Sequence, residues 1–125
     1  MPPQSETWHI RGKHLSARDY AREFLGMVPG KTRGRACALN AAGIASLTLG
    51  NPALAVEELM EAKAIGVEID EPYITIAALV TLVVSSMVLG SERTVEFANE
   101  GHARLEGQDF PMLQGLLLAF DGIFH

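Results

Sequence analysis

The chain has 125 residues, a formal net charge of −5 and one cysteine, Cys37. This length suits a single domain, and the negative charge argues against nucleic acid as a direct partner, because phosphate binding requires clustered cations. One cysteine excludes an internal disulfide, and no secretory leader opens the chain, so we expect a cytoplasmic protein in which Cys37 is buried on a helix.

The first part of the chain predicts a lead-in followed by a helix. Residues 1–14 are polar and show no sustained periodicity, so we expect them to be a flexible lead-in to a helical domain over 15–125. An apolar stripe then predicts a first helix over about 15–28, which Pro29 and Gly30 end.

The next stretch predicts a hairpin of two antiparallel helices, about 33–49 and 52–65. Gly50 suits the left-handed residue that ends many helices, because glycine has no Cβ to clash. Asn51 can cap the second helix with its side-chain oxygen, and Pro52 suits the first helical position. Apolar residues at spacings of three and four give the first helix one inward face, made of Leu39, Ala42, Gly43, Ser46, Leu47 and Leu49.

Small residues are expected to set the distance between these two helices. Gly43, Ala55 and Ala62 lie where the backbones must approach closely, whereas Glu58 is expected to point into solvent with its neighbours Glu57, Glu61 and Lys63. We therefore expect Gly43→Leu to unfold or splay the hairpin and Glu58→Ala to have little effect. Gly66 is expected to end the second helix.

Three more helices are predicted after a loop over 66–71, at about 72–89, 92–105 and 110–124. Pro72 opens the first of them, and Gly90 follows its end. Gly90 lies forty residues after Gly50, which indicates a repeating unit. The inward residues of the helix over 92–105 are expected to be Val95, Phe97 or Ala98, His102 and Leu105.

The packing positions resemble those of the tetratricopeptide (TPR) family of helix–turn–helix repeats. The resemblance rests on Leu39, Ala42, Gly43, Gly50, Ala55, Leu59 and Ala62. The chain departs from the family at Ser46, where a large aromatic is usual, and at Leu39, where the family often has Trp. The forty-residue period also resembles the degenerate helical arrays of bacterial LuxR-type and related large ATPase regulators. The resemblance implies an all-α fold of about six antiparallel helices in a right-handed superhelical stack, which is either a whole array or a fragment of a longer one.

Residues 72–91 carry no charge, which meets the length rule for a membrane span. Small and polar residues interrupt the run, and no belt of Lys, Arg or Trp flanks it. We therefore predict a central buried helix and no membrane partner. Thr75, Thr81 and Ser85 are alternatively expected to face an inner groove.

Motifs for catalysis and metal binding are missing from the sequence. Gly30-Lys31-Thr32 is similar to the end of a phosphate-binding loop, but the glycine that such a loop needs five residues earlier is replaced by Leu25. The histidines have no metal-ligand spacing, and the pair Glu57 and Glu61 is typical of a solvated helix face. We predict a protein that is not an enzyme and binds no metal or cofactor.

Charge is distributed unevenly along the chain. Residues 1–35 hold seven of the ten Lys and Arg residues, against three acidic residues. A basic amino end next to an acidic body could steer a charged partner, or it could be a solvated surface with local imbalance.

The function that the sequence favours is a non-catalytic scaffold for a protein or peptide partner. In the TPR-like arrangement the helices over 33–49, 72–89 and 110–124 would line a concave groove. Its expected contact residues are Asn40, Ile44, Thr75, Leu79 and Leu82. The helix over 72–89 has no basic residue, so the family's carboxylate clamp for chaperone tails is not expected. The alternative is a ligand-sensing segment of a bacterial transcriptional regulator that binds a small apolar effector.

The last predicted helix has little polar face. Its apolar residues predict a dimer or docking surface formed by Leu116, Leu117, Phe120 and Phe124.

Overall fold

A computed structural model describes residues 23, 25–26 and 30–124, with side chains up to residue 119. This part of the chain is all-α and contains no strand. Its helices are α1 (Arg33–Thr48), α2 (Pro52–Glu68), α3 (Pro72–Val88), α4 (Arg93–Leu105) and α5 (Pro111–Phe124). The expected lead-in over 1–14 and the expected helix over 15–28 lie outside the described residues, apart from positions 23, 25 and 26.

The described helices confirm the predicted ones to within about one residue at most ends, but the predicted end of α2 is wrong. α2 continues past Gly66 to Glu68. Gly66 is required for packing rather than for a stop, because a Cβ there would lie 2.5 Å from Thr75 Oγ1 and 3.1 Å from Thr75 N on α3. The left-handed residue that ends α2 is Asp70, with φ 57°. A short polar side chain tolerates this conformation better than most other residues do.

The first three helices end in the same hydrogen-bonded cap, and the caps recur every twenty residues. Left-handed residues stand at Gly50, Asp70 and Gly90. In each cap the next residue's amide donates to a carbonyl five residues earlier, as in the Schellman motif. These bonds run from Asn51 to Ser46, from Glu71 to Gly66 and from Ser91 to Ser86, at 2.8, 2.9 and 2.9 Å. The forty-residue spacing of Gly50 and Gly90 therefore contains a second, hidden cap at Asp70.

The helices pack in two rows. Helices α1, α3 and α5, the first row, contact each other in that order. Helices α2 and α4, the second row, each pack against the first-row helices before and after them in the chain, whereas their own Cα atoms stay more than 8 Å apart. The side chains of Lys63 on α2 and Glu100 on α4 join across this gap at 2.7 Å. The central helix α3 thus has neighbours on most sides, which confirms the prediction of a buried helix over 72–91.

The seam between α1 and α2 depends on small residues, as predicted. Gly43 is buried, and a Cβ added there would lie 2.6 Å from Leu59 Cγ. Leu59, Ala55 and Ala62 on α2 are completely buried. Leu59 therefore fills the space that the missing side chain of Gly43 leaves.

The expectation that Glu58 faces solvent is wrong. Its side chain is only 6% exposed, and Ser46 Oγ donates a hydrogen bond of 2.5 Å to Glu58 Oε1 across the seam. Ser46 is the position at which the TPR family usually has a large aromatic. The small hydroxyl residue leaves room for the carboxyl group of Glu58, and a short hydrogen bond to such a group is among the stronger kinds.

Replacing a glycine with alanine should have opposite effects on stability at Gly43 in the seam and at Gly115 outside it. Gly43→Ala should lower the free energy of unfolding by about 1–3 kcal/mol, because the added Cβ would lie 2.6 Å from Cγ of Leu59 and force this buried side chain to shift. Gly115→Ala on α5 is the matched control, since no described atom lies within 4 Å of its added Cβ. It should raise the stability by up to about 1 kcal/mol, because alanine favours a helix interior. Urea unfolding of both variants checks this, and destabilisation of equal size would contradict the seam.

The buried Ser46–Glu58 pair makes a second prediction. Glu58→Ala should cost about 1–3 kcal/mol, because it removes a buried hydrogen bond and leaves the Ser46 hydroxyl without its acceptor. Glu57→Ala, at the adjacent exposed position, should change stability by less than about 0.5 kcal/mol. Equal denaturation midpoints for the two variants would show that the carboxyl group of Glu58 contributes nothing.

Candidate functional site

Three of the five residues expected to line a groove are inside the protein. Leu79 and Leu82 are completely buried in the main hydrophobic core, and Thr75 is buried against α2. The hydroxyl of Thr75 donates to the backbone carbonyl of Glu71 at 3.0 Å. These three residues offer no surface to a partner, so their assignment to an open groove is corrected. The cause is that α3 has neighbours in both rows, so most of its apolar residues serve the core.

The other two groove residues lie at or near the surface. Ile44 on α1 is 51% exposed. Asn40 is half-buried, and its side-chain amide donates to the backbone carbonyl of Ile74 on α3 at 3.5 Å. Asn40 therefore helps to join two first-row helices, whereas Ile44 is available for contact.

The expected docking surface on the last helix is divided in the same way. Leu116 is exposed, but Leu117 is completely buried. A Cβ at Gly101 of α4 would come within 3.0 Å of Leu117 Cδ1, so Leu117 packs against α4 and its assignment to a docking surface is corrected. The side chains of Phe120 and Phe124 lie outside the described residues.

The accessible residues of the first row form matching stripes. On α1 the stripe is Cys37, Ala41, Ile44 and Thr48, all exposed. On α3 the residues forty positions later, Ala77, Thr81, Val84 and Val88, are also partly or fully exposed, and Tyr73 before them is exposed. Since Pro111 follows Pro72 by 39 residues, the equivalent residues of α5 are Met112 and Leu116, which are both exposed. We call these eleven residues the uncharged face.

The uncharged face has no acidic or basic residue, and its ionisable groups are the thiol of Cys37 and the phenol of Tyr73. No charged residue occurs in 36–56, 72–91 or 110–120. Arg33 and Arg35, at the start of α1, are the charged residues of the first row among the described side chains. Two hydroxyls on the face, those of Thr48 and Thr81, donate to the carbonyls of Ile44 and Ala77 at 2.9 and 3.2 Å. The face therefore offers mainly apolar contact.

Sequence reasoning missed most of this face. The sequence predicts a buried Cys37 and an inward-pointing Val95 on α4, but both are exposed. The signal that could have found the face is the forty-residue shift, because applying it to Ile44 gives Val84. The expectation that Ser85 faces a groove is wrong. Ser85 is buried, and its hydroxyl donates to the backbone carbonyl of Thr81 at 2.9 Å.

The second row carries the charges, and its central ion pairs hold helices together. Glu100 on α4 accepts hydrogen bonds from Lys63 on α2 at 2.7 Å and from Arg104 at 3.0 Å. Burial would raise the pKa of Glu100, but the hydrogen bonds and positive charges of Lys63 and Arg104 outweigh it and hold that pKa below its usual value of 4.5. The carboxylate form of Glu100 is thus stabilised in the folded protein.

The basic residues before and at the start of α1 also pair within the chain. Lys31, Arg33 and Arg35 contact Glu68, Glu71 and Glu61 at 2.8, 3.3 and 2.8 Å, respectively. The described part of the basic amino end is therefore neutralised by acidic residues of α2 and by Glu71, just before α3. Lys31 belongs to the stretch that is similar to the end of a phosphate-binding loop, and its ammonium group contacts the carboxylate of Glu68.

Comparisons with protein families, with curated proteins and with solved structures find no match to this chain. Within residues 30–124 no helix has both the length and the apolar character needed to cross a membrane. The described side chains also include no group of three or more His, Cys, Asp or Glu residues placed to hold a metal ion. The uncharged face is the feature of the described chain that bears most directly on function.

The Glu100 cluster predicts a pH dependence of stability. Because the folded-state pKa of Glu100 is lowered, its ion pairs stabilise the fold above pH 4.5, and this stabilisation is lost as the pH falls through the folded-state pKa. Urea unfolding at about pH 7 and about pH 3 should therefore show a smaller acid-induced loss in Glu100→Gln than in the unmodified chain.

Glu96→Gln is the matched control, since Glu96 is an exposed acid on the same helix with a looser contact of 3.7 Å to Arg93. It should leave the pH dependence nearly unchanged. The same acid-induced loss in Glu100→Gln and in the unmodified chain would rule out this role for Glu100.

Proposed function

We propose that this chain is a non-catalytic protein-interaction module that binds an apolar segment of a partner on the uncharged face. The observation that carries the proposal is the separation of charge between the rows. Partly or fully exposed apolar residues lie on α1, α3 and α5, whereas α2 and α4 carry most charges of the described helices. Exposed apolar area that continues over several elements is a common mark of an interaction site.

The recurrence of caps and stripes supports a TPR-like repeat as the scaffold. Equal caps every twenty residues give helices of similar length, and the forty-residue shift places equivalent residues on alternate helices. In solenoid proteins, this kind of regular stacking creates an extended surface on one row of helices. A right-handed superhelix with about six helices remains part of the proposal.

The chemistry of the face favours an amphipathic helix as the ligand. The face lacks charged groups for an ionic ligand, and its threonine hydroxyls already donate to backbone carbonyls. A helix satisfies its own backbone hydrogen bonds, so it can place a purely apolar stripe on such a surface at little polar cost. An extended peptide would instead need hydrogen-bonding partners along its backbone.

A second candidate is the binding of a small effector, as in a ligand-sensing segment of a bacterial transcriptional regulator. The observation that favours it is a cavity of about 440 Å³ between α4 and α5, within the roughly 300–1,000 Å³ of many small-molecule sites. It is lined by His102, Leu105, Glu106, Gln114 and Leu118. The cavity lies outside the uncharged face, so the two candidates are separable by substitution.

The proposal is tested by selecting binders from a displayed library of amphipathic helices and measuring their affinity for variants of the full chain. Ile44→Glu and Val88→Glu should each weaken binding by about tenfold or more, because each buries a charge under the ligand. Both positions are mainly exposed, at 51% and 64%, so the fold should tolerate the change. Cys37, the only cysteine, allows an environment-sensitive dye to be attached on the face itself.

Val67→Glu on α2 is the matched control, since Val67 is an exposed valine of the second row, at 44%. It should leave the affinity unchanged, as should Leu118→Glu in the α4–α5 cavity. Loss of binding with Val67→Glu equal to that with Val88→Glu would refute the uncharged face as the site. Loss confined to Leu118→Glu would favour the second candidate.

A further inference from the structure

Two aromatic rings meet at one corner of the uncharged face, where Phe110 lies beside Tyr73 of the face. Tyr73 stands in the first turn of α3 and Phe110 directly before α5, and their ring centroids lie 5.2 Å apart with the ring planes at 88°. Pro72 and Pro111 open the two helices, and their restricted backbone angles suit the first helical position. The starts of these two helices therefore determine where the two rings meet.

A cavity of about 250 Å³ opens beside these rings. It is smaller than the roughly 300–1,000 Å³ of typical small-molecule sites, which makes it suited to a single side chain. Its lining is Tyr73, Asp109, Phe110, Pro111, Met112 and Leu113. Five of these six residues are uncharged, and the sixth, Asp109, is an exposed acid.

This combination selects a cationic side chain. An aromatic ring face attracts a Lys or Arg head group, and a nearby carboxylate adds an opposite charge. The methionine and leucine of the lining give the aliphatic stem of such a side chain an apolar path. An acidic side chain would meet Asp109, and a purely apolar one would gain nothing from its carboxylate.

We infer that this cavity anchors an arginine or lysine of the partner segment that lies on the uncharged face. The inference rests on the proposed function, and it adds a direction to the bound segment. Tyr73 and Met112 belong to both the face and the cavity, so the two sites are continuous. A ligand with an apolar stripe and one basic end would therefore place that end beside Asp109.

The first test uses N-acetyl-arginine amide as the probe and its neutral isostere N-acetyl-citrulline amide as the control, followed by NMR of the full chain. The arginine compound should shift the ring signals of Tyr73 and Phe110, with an affinity about three- to fivefold above that of the citrulline compound. Asp109→Asn should remove this preference.

Glu92→Gln is the matched variant, because it removes one exposed acid from the connection between α3 and α4, outside both cavities described above. It should keep the preference for arginine. Equal binding of the two probes, no shift of either ring, or the same loss in Glu92→Gln as in Asp109→Asn would each overturn the inference.

The second test separates this inference from the proposed function. Helical binders selected on the chain should carry a basic residue at one end, and replacing it with norleucine should weaken binding about three- to fivefold in the unmodified chain but not in Asp109→Asn. Binders that depend on Ile44 and Val88 but are indifferent to Asp109 would overturn the anchor and leave the interaction module intact. Binders that ignore Ile44 and Val88 would refute the proposed function itself.

Discussion

The close approach of α1 and α2 at Gly43 is the contact on which the rest of this structure depends. Leu59 occupies the place where any other residue at position 43 would put its Cβ. The short distance between the helices also brings Ser46 within hydrogen-bonding reach of Glu58. Because α1 turns its smallest residues toward α2, its stripe from Cys37 to Thr48 is left on the outside.

The same arrangement accounts for the separation of charge. A first-row helix with neighbours in both rows has only one narrow stripe left for solvent, and α3 fills that stripe with Ala, Thr and Val between an exposed Tyr73 and Val88. Second-row helices have a wider open side, which accommodates the carboxylates of α2 and the mixed charges of α4. Their ion pair between Lys63 and Glu100 spans a gap that the backbones leave open. Packing on one side and ion pairing on the other thus keep the two surfaces chemically distinct.

Local signals made much of the fold predictable. Gly50, Asn51 and Pro52 mark a helix end and a helix start through backbone geometry alone, and the structure places them accordingly. Small residues at 43, 55 and 62 identified the seam because spacing along a helix determines which residues share a face. These features depend on residues that are close together in the chain, so they can be read from the sequence alone.

The errors arose where distant neighbours decide the outcome. Glycine is common at helix ends, but Gly66 lies inside α2, where the close approach of Thr75 on α3 leaves no room for a Cβ. Glu58 has the charge of a surface residue, but Ser46 supplies a buried donor. The sequence predicts Leu79 and Leu82 in a groove, because the pattern of one helix does not reveal how many other helices surround it. The uncharged face combines stripes from three helices, and only the tertiary register shows that they match.

The contact scheme has a consequence for how the protein opens. Among the described helices, none touches another that is more than two places away along the chain. Ordering one helix therefore needs only short loops to close, which is the topology of rapidly folding chains. It also means that α5 can detach from α3 and α4 without breaking any contact of the α1–α2 pair. Backbone amides of α5 should exchange with solvent deuterium well before those of α1 and α2, in a gradient along the stack.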